Sequence, residues 1–314
     1  MLGKTAGGLF WMFRRLERTE NTARLVDAGV RIALTRSSAG PDDWKSIVTA
    51  AGVGDAFETR HGQQYEASTV VDFLLRDPAN PSSVRSSIEM ARTNARLVRT
   101  ALTREVWEAT NECWMTLDKA LSDPVRERDL PSILGTIRQQ SALVRGALHG
   151  TMLRNDIYDF ARIGTFLERG DSTARILNVK YYVLLPSVSF VGSSLDNVQW
   201  ETILRSVSAH RAYRWLNGAD FNPKGIADFL ILDRRMPRSL AFCAAKIADN
   251  LGYLADDYGL RHPCHDMAEA MRNCLRGHTI DSIMEDGLHE FIETFIRDNN
   301  ALGSEVERNY RFNG

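Results

Sequence analysis

The stretch LFWMFRRLERTENTARLVDAGVRIALTR, residues 9–36, reads as one long helix. Met12, Leu16, Thr19, Ala23, Val26, Val30 and Ala33 fall at alternating steps of four and three. That spacing gives a narrow apolar or small-residue stripe, as a helix packed along a neighbour needs. Beside it runs a polar stripe of Glu17, Glu20, Asn21, Arg24 and Arg31. Glu17 and Asn21 are four apart, as are Glu20 and Arg24, so each pair can touch on the helix surface.

The same element recurs. Residues 163–184, IGTFLERGDSTARILNVKYYVL, carry LERGDSTARILN where the first carries LERTENTARLVD. Glu17, Arg18 and Arg24 reappear as Glu168, Arg169 and Arg175, and Glu20 becomes Asp171 with its charge kept. The stripe returns as Ile163, Leu167, Gly170, Ala174, Leu177, Tyr181 and Leu184. Further blocks align: Trp44 with Trp200, Asp72-Phe73-Leu74-Leu75 with Asp228-Phe229-Leu230-Ile231, and Pro81, Ser83 and Val84 with Pro237, Ser239 and Leu240. The offset is 151 at the first motif and 156 afterwards, so one five-residue insertion suffices, placed in the 186–199 loop. Repeats decide architecture. The expectation is an all-α helical bundle built by internal duplication of a unit of roughly 150 residues, one domain over 1–314 with repeats 1–150 and 151–314. Strand signals are nearly absent, Ser187–Val191 being a short alternation. Two antiparallel helices that each expose a narrow stripe bury it best against each other, so the two LER helices are expected to pair near a pseudo-twofold axis. Gly40-Pro41 ends the first helix, and Asp42 or Asp43 can cap the next.

Composition narrows the function classes. With 314 residues, 44% of them hydrophobic, the chain can build a sizeable core. A formal charge of −1 gives no overall pull toward nucleic acid or an anionic membrane. Charge is uneven, however: residues 1–36 hold seven Lys/Arg against three Asp/Glu, and residues 281–298 hold six Asp/Glu and one Arg. Cys113, Cys243, Cys264 and Cys274 show no CxxC spacing, which fits a reducing cytoplasm with the thiols as small hydrophobes. No apolar run approaches a membrane span. The apolar block Leu9–Phe13 is too short for a signal peptide, and Gly3-Lys4-Thr5 lacks the strand and glycine of a phosphate loop.

The chemistry on offer is polar and paired. If Glu17, Glu20, Asn21 and Arg24 face inward with Glu168, Asp171, Ser172 and Arg175, carboxylates and guanidinium groups meet in the interior. Buried charges must be paired, so the set reads either as an ion-pair lattice fixing helix register or as a polar pocket. Glu17, Arg18, Glu20, Asn21, Arg24, Glu168, Arg169, Asp171 and Arg175 are its candidate residues. A carboxylate-bridged metal pair is an outside reading, because the Glu-x-x-His spacing of di-iron bundles is absent from both LER segments. His262, His265 and Asp266 cluster but are interrupted by Pro263, and Asp286-x-x-His289 stands alone. No metal site is expected. A second constellation is the basic helix from Ser83, with Arg85, Arg92, Arg96 and Arg99 on one broad face, read as a solvated face or an anion site. It lacks the aromatic interleaving of a nucleic-acid surface, and Trp107 and Trp114 read as core anchors. GxSxG is missing, and the cysteines lack a local nucleophile motif.

These motifs resemble the Alpha-E family, a bacterial all-helical domain of unknown function with a Glu-Arg motif. FWMFRRLERTENTARLVD, its copy FARIGTFLERGDSTARIL, the stretch NPSSVRSSIEMARTNARLVRTALTREVWEATNECW and MPRSLAFC at 236–243 carry the resemblance across nearly the whole chain. The residue after Glu-Arg, commonly alanine in the family, is Thr19 in one copy and Gly170 in the other, both small. The resemblance implies context: an ATP-grasp-type partner, often with a transglutaminase-like protein, and work on peptide or amide bonds through an acyl phosphate. It implies no cofactor on this chain alone. It places Glu17-Arg18 and Glu168-Arg169 on the name-giving motif and Arg92, Asn94 and Arg96 on the second hallmark, a candidate anion site. The rival expectation is a structural interaction module without an active site.

Overall fold

A computed structural model describes residues 1, 3–34, 41–183, 194–218 and 221–312. Most of the expected insertion, with the Ser187–Val191 alternation, lies outside the described residues, as do Gly40 and the side chain of Asp42. The helices are α1 (Gly3–Leu34), α2 (Pro41–Ala50), α3 (Gly54–His61), α4 (Ala67–Leu75), α5 (Val84–Leu97), α6 (Arg104–Ala120), α7 (Leu130–Thr151), α8 (Asp156–Val183), α9 (Ser194–Ser206), α10 (His210–Asn217), α11 (Pro223–Ile231), α12 (Leu240–Tyr258), α13 (Pro263–Gly277), α14 (Ile280–Asp286) and α15 (Leu288–Asn309). Among the described residues there is no strand. Helix α2 starts at Pro41, which puts Asp43 inside its first turn instead of at the cap.

The halves follow one order. Helices α3, α4 and α5 start at residues 54, 67 and 84, and α10, α11 and α12 at 210, 223 and 240, each 156 later. Local chemistry explains the shared starts. Ser83 and Ser239 cap α5 and α12, their hydroxyls accepting from the N–H groups of Ser86 and Phe242. The buried positions also agree: Leu134, Ile137, Ser141, Val144 and Leu148 on α7, and Ile292, Phe295, Asn299, Leu302 and Val306 on α15.

Helices α1 and α8 pair along their lengths at the centre of the bundle. Their stripes are buried there: Met12, Leu16, Thr19, Ala23 and Val26 against Ile163, Leu167, Ala174 and Leu177. The pair is parallel, which corrects the antiparallel expectation. Phe10 lies on Gly164, Glu17 bonds Arg169, and Leu25 and Ile176 line one cavity, so both sequences advance together along the contact. A narrow stripe packs equally well in either sense; the flanking helices decide it. Helices α5 and α7 run antiparallel to α1, as the contacts Gly8–Val98 and Arg18–Ser82, and Glu20–Arg145 and Asp27–Arg138, require. Helices α12 and α15 flank α8 likewise, through Asp156–Tyr258 and Gly170–Cys243, and Leu167–Asn299 and Asn178–Glu293. The antiparallel flanks offset the aligned dipoles of the central pair. Helix α2 packs on α8 and α9 on α1, which ties the halves together a second time.

Gly164 is what lets the central backbones approach, since a Cβ there would overlap the Phe10 carbonyl. Gly146, on the exposed side of α7, meets nothing within 4 Å. Alanine at either site gains helix propensity of about 1 kcal/mol. At Gly164 this is outweighed by overpacking of about 1–3 kcal/mol or more, because the obstacle is backbone. Thermal melting should therefore show Gly164→Ala destabilised and Gly146→Ala unchanged or stabilised; equal effects would show that the helices do not need this contact.

Candidate functional site

The two LER segments meet at the centre of the α1–α8 contact and exchange charges. The Glu17 carboxylate accepts two bonds from Arg169, Nε and Nη2 each at 2.8 Å. Reciprocally, Glu168 accepts from Arg18 Nε at 2.5 Å and Nη2 at 2.8 Å. Each pair is the two-pronged geometry that guanidinium and carboxylate favour. A second tier lies one turn on. Glu20 accepts from Arg24 at 2.9 and 2.6 Å, the four-residue pairing read from the sequence, and Asp171 accepts from Arg175 at 2.6 Å. Asn21 reaches across to the Glu168 carbonyl at 3.4 Å. The candidate polar residues thus lie in one network; Arg31 instead pairs with Asp27 away from it.

Three arginines absent from the sequence-derived set complete it. Arg14 donates to Glu168 at 3.0 Å. Arg145, from α7, donates to Glu20 at 2.7 Å and lies 3.4 Å from Glu17. Arg238, just before the Ser239 cap, donates to Glu20 at 2.7 Å and Asn21 at 2.9 Å, and lies 3.3 Å from Glu17. Arg145 and Arg238 lie outside both LER segments, and Arg14, one turn before Arg18 on the first, shows its partner Glu168 only when α8 is in place. Two signals pointed toward Arg238: its place in the MPRSLAFC stretch and its place inside an aligned block, opposite Ser82.

The network holds seven guanidinium groups (Arg14, Arg18, Arg24, Arg145, Arg169, Arg175, Arg238) on four carboxylates (Glu17, Glu20, Glu168, Asp171). The positive excess shows in the titration of its members. Burial pushes the Glu17 and Glu168 carboxyls up, but the arginines beside them outweigh it; Glu17 falls well below the usual carboxylate range and Glu168 to about 2. Glu20 is also lowered, burial and Glu17 opposing and Arg238, Arg24 and Arg145 prevailing. Burial and the neighbouring Arg24 push Arg238 down to about 10. His149 is pushed down to about 4 by burial and by Arg162, Arg154, Arg145 and Arg169. Arg162 donates to its Nε2 at 3.2 Å, so the ring proton sits on Nδ1, 2.8 Å from the Tyr158 hydroxyl.

A cavity of about 210 Å³ opens beside the network between α1 and α8, lined by Arg18, Asn21, Ser82, Glu168, Asp171, Ser172 and Arg175, with the Ala51-Gly52-Val53 turn at its rim. Gly52 holds φ of 69° there, and a Cβ would press on the Arg175 guanidinium.

The other sequence candidates lie apart. Arg92 stacks on Trp114 at 3.8 Å and donates to Asn111 at 2.9 Å; Asn94 is half-buried and Arg96 exposed. Trp107 is half-buried under Arg99. His262 and His265 form the cap of α13, the His262 N–H donating to His265 Nδ1 at 2.8 Å. No three His, Cys, Asp or Glu residues gather as a metal cage among the described residues. Cys113, Cys243 and Cys264 are buried free thiols, each pushed up to about 12, chiefly by burial. Within the described residues no helix is long and apolar enough to cross a membrane.

Comparison with known proteins finds a matching family model. Alpha-E, described as a predicted alpha-helical domain with a conserved ER motif, matches residues 1–310. Uncharacterized proteins of Mycobacterium bovis and Mycobacterium tuberculosis are 22% identical over 300 residues, covering 89% of this chain and 33% of each relative. The chain thus spans about a third of the length of the curated relatives it matches. No solved structure matches it.

Removing one partner of a buried pair strands the other at a cost of about 3–5 kcal/mol. Glu17→Gln and Glu168→Gln should each lower the melting temperature accordingly; an unchanged or raised value would mean that the charges are held under repulsion.

The pH dependence follows with a definite sign. The lowered carboxyls contribute stability that is present above about pH 4.5 and lost as pH falls toward 2. Neutral His149 adds stability present above pH 6.5 and lost as pH falls toward 4. Asp159, pushed up to about 7 by burial and by Asp257 and Asp156, acts in the opposite sense between pH 7 and 4. Melting temperature should therefore fall clearly only below about pH 4, where the lowered carboxyls protonate; a flat profile from pH 4 to 2 would contradict it.

Proposed function

The chain belongs to the Alpha-E family, and on that premise we propose that it is a cytoplasmic helical partner or accessory subunit of an ATP-grasp-type ligase system that forms or modifies peptide or amide bonds. A transglutaminase-like protein is a further partner in this reading. We read its two halves as copies of one unit of roughly 150 residues, which is what their common element order favours. The observation that carries the accessory role is the saturation of the carboxylates. A general acid or base must change protonation near the working pH. Glu17, Glu20 and Glu168 are each held ionised by two or more arginines, and three of the thiols are buried and protonated. Such a site is suited to binding and to rigidity, and the bond-making step falls to the partner. The relatives, three times as long as the aligned segment, support a unit that works beside other domains.

The same saturation favours the second reading, a non-catalytic interaction module. Co-purification with the ATP-grasp partner, followed by ATP turnover with candidate amines and carboxylates, separates the two. The accessory reading expects turnover by the complex and none by this chain alone. ATP hydrolysis by the purified chain would overturn it, and a complex whose turnover is unaffected by removing this chain would leave the interaction module. Loss of turnover in Glu17→Gln in step with lost stability assigns the Glu-Arg pairs to the scaffold.

A further inference from the structure

The charge network is nearly symmetric, and the place where it is not symmetric is a cavity. Glu17, Glu20 and Asn21 on α1 correspond to Glu168, Asp171 and Ser172 on α8. The first three share one occupant, the Arg238 guanidinium, at 3.3, 2.7 and 2.9 Å. Arg238 stands immediately before the Ser239 cap of α12. The residue immediately before the matching Ser83 cap of α5 is Ser82. Its side chain is too short to reach where Arg238 reaches, and Glu168, Asp171 and Ser172 line the cavity of about 210 Å³ beside it.

A second asymmetry shows what compensation looks like. Arg145 on α7 corresponds to Gly303 on α15, by the shared burial pattern of the two helices. There the Arg14 guanidinium lies 3.0 Å from where a Cβ of Gly303 would stand, and it supplies Glu168. Among the described residues nothing takes the place of Arg238. Ser172 is 9% exposed and lines the cavity. The second oxygen of Asp171 has only a long contact, 3.5 Å to Asn300, where Glu20 is fully engaged.

We propose that this cavity receives a guanidinium group from a ligand, with Glu168, Asp171 and Ser172 holding it as Glu17, Glu20 and Asn21 hold Arg238. An arginine residue within a peptide is the carrier that fits the proposed role; the site's chemistry stands without that role. The volume suits a side-chain head group, given that a cavity of roughly 150 Å³ accepts benzene. Exposed Gly52 and half-buried Ala51 and Val53 form the mouth. Arg18 and Arg175 flank the space as Arg169 and Arg24 flank Arg238, which selects the kind of cation. A guanidinium stays charged in such surroundings, whereas an ammonium is a point charge that lacks the planar fork that meets several acceptors at once.

Calorimetric titration of the single chain, without ATP or any partner, tests this with N-acetyl-arginine amide, free L-arginine and the lysine and citrulline analogues of the blocked amide. The blocked arginine should bind, and citrulline, the same shape without charge, at least ten-fold more weakly. Binding by free arginine alone would keep the guanidinium site and overturn the peptide carrier. Ser82→Arg fills the space from within, so it should fold with an equal or higher melting temperature and lose binding. Asp171→Asn should weaken binding at least ten-fold and serves where Ser82→Arg does not fold. No binding of either arginine form, equal binding of citrulline, or full binding by folded Ser82→Arg would overturn the proposal. Because no ATP is consumed, its failure leaves the ligase-partner reading standing, and the reverse holds.

Discussion

Two reciprocal ion pairs, Glu17 with Arg169 and Arg18 with Glu168, set the terms for the rest of the molecule. Neither α1 nor α8 can bury its own Glu-Arg step, because adjacent residues on a helix point in different directions. Each needs the other helix to supply the opposite charge. Once the two carboxylates are dry, separating the helices would leave charges uncompensated, so the central pair is held by a requirement and not only by an apolar stripe. The flanking helices then keep water out.

The surplus of arginine gives the centre its character. Seven guanidinium groups share four carboxylates, and burial together with the neighbouring arginines lowers both His149 and Arg238. Glu17, Glu20 and Glu168 are held ionised near neutral pH by the arginines around them. What the centre offers is fixed, preorganised charge.

Departure from symmetry matters more than symmetry. A charge lattice filled identically on both sides would be purely structural. Here Arg238 fills one side and Ser82 leaves the other with a lined space. The substitution costs no stray carboxylate, because Arg14 and Arg18 still neutralise Glu168 and Arg175 still neutralises Asp171.

The amino-acid sequence by itself determined the helices, the buried stripe and the local pair Glu20–Arg24, since these depend on a period of 3.6 residues and on neighbours within one turn. It also determined the parallel starts after Ser83 and Ser239, because a hydroxyl at that position caps whatever helix follows. The tertiary structure alone decided that α1 and α8 run in the same direction, because a narrow stripe packs in either sense and only the flanking helices choose. It alone brought Arg14, Arg145 and Arg238 to the carboxylates, since periodicity tells which face of a helix is buried but not what arrives opposite it. The cavity beside Ser82 exists for the same reason: it is a space between elements far apart in the chain.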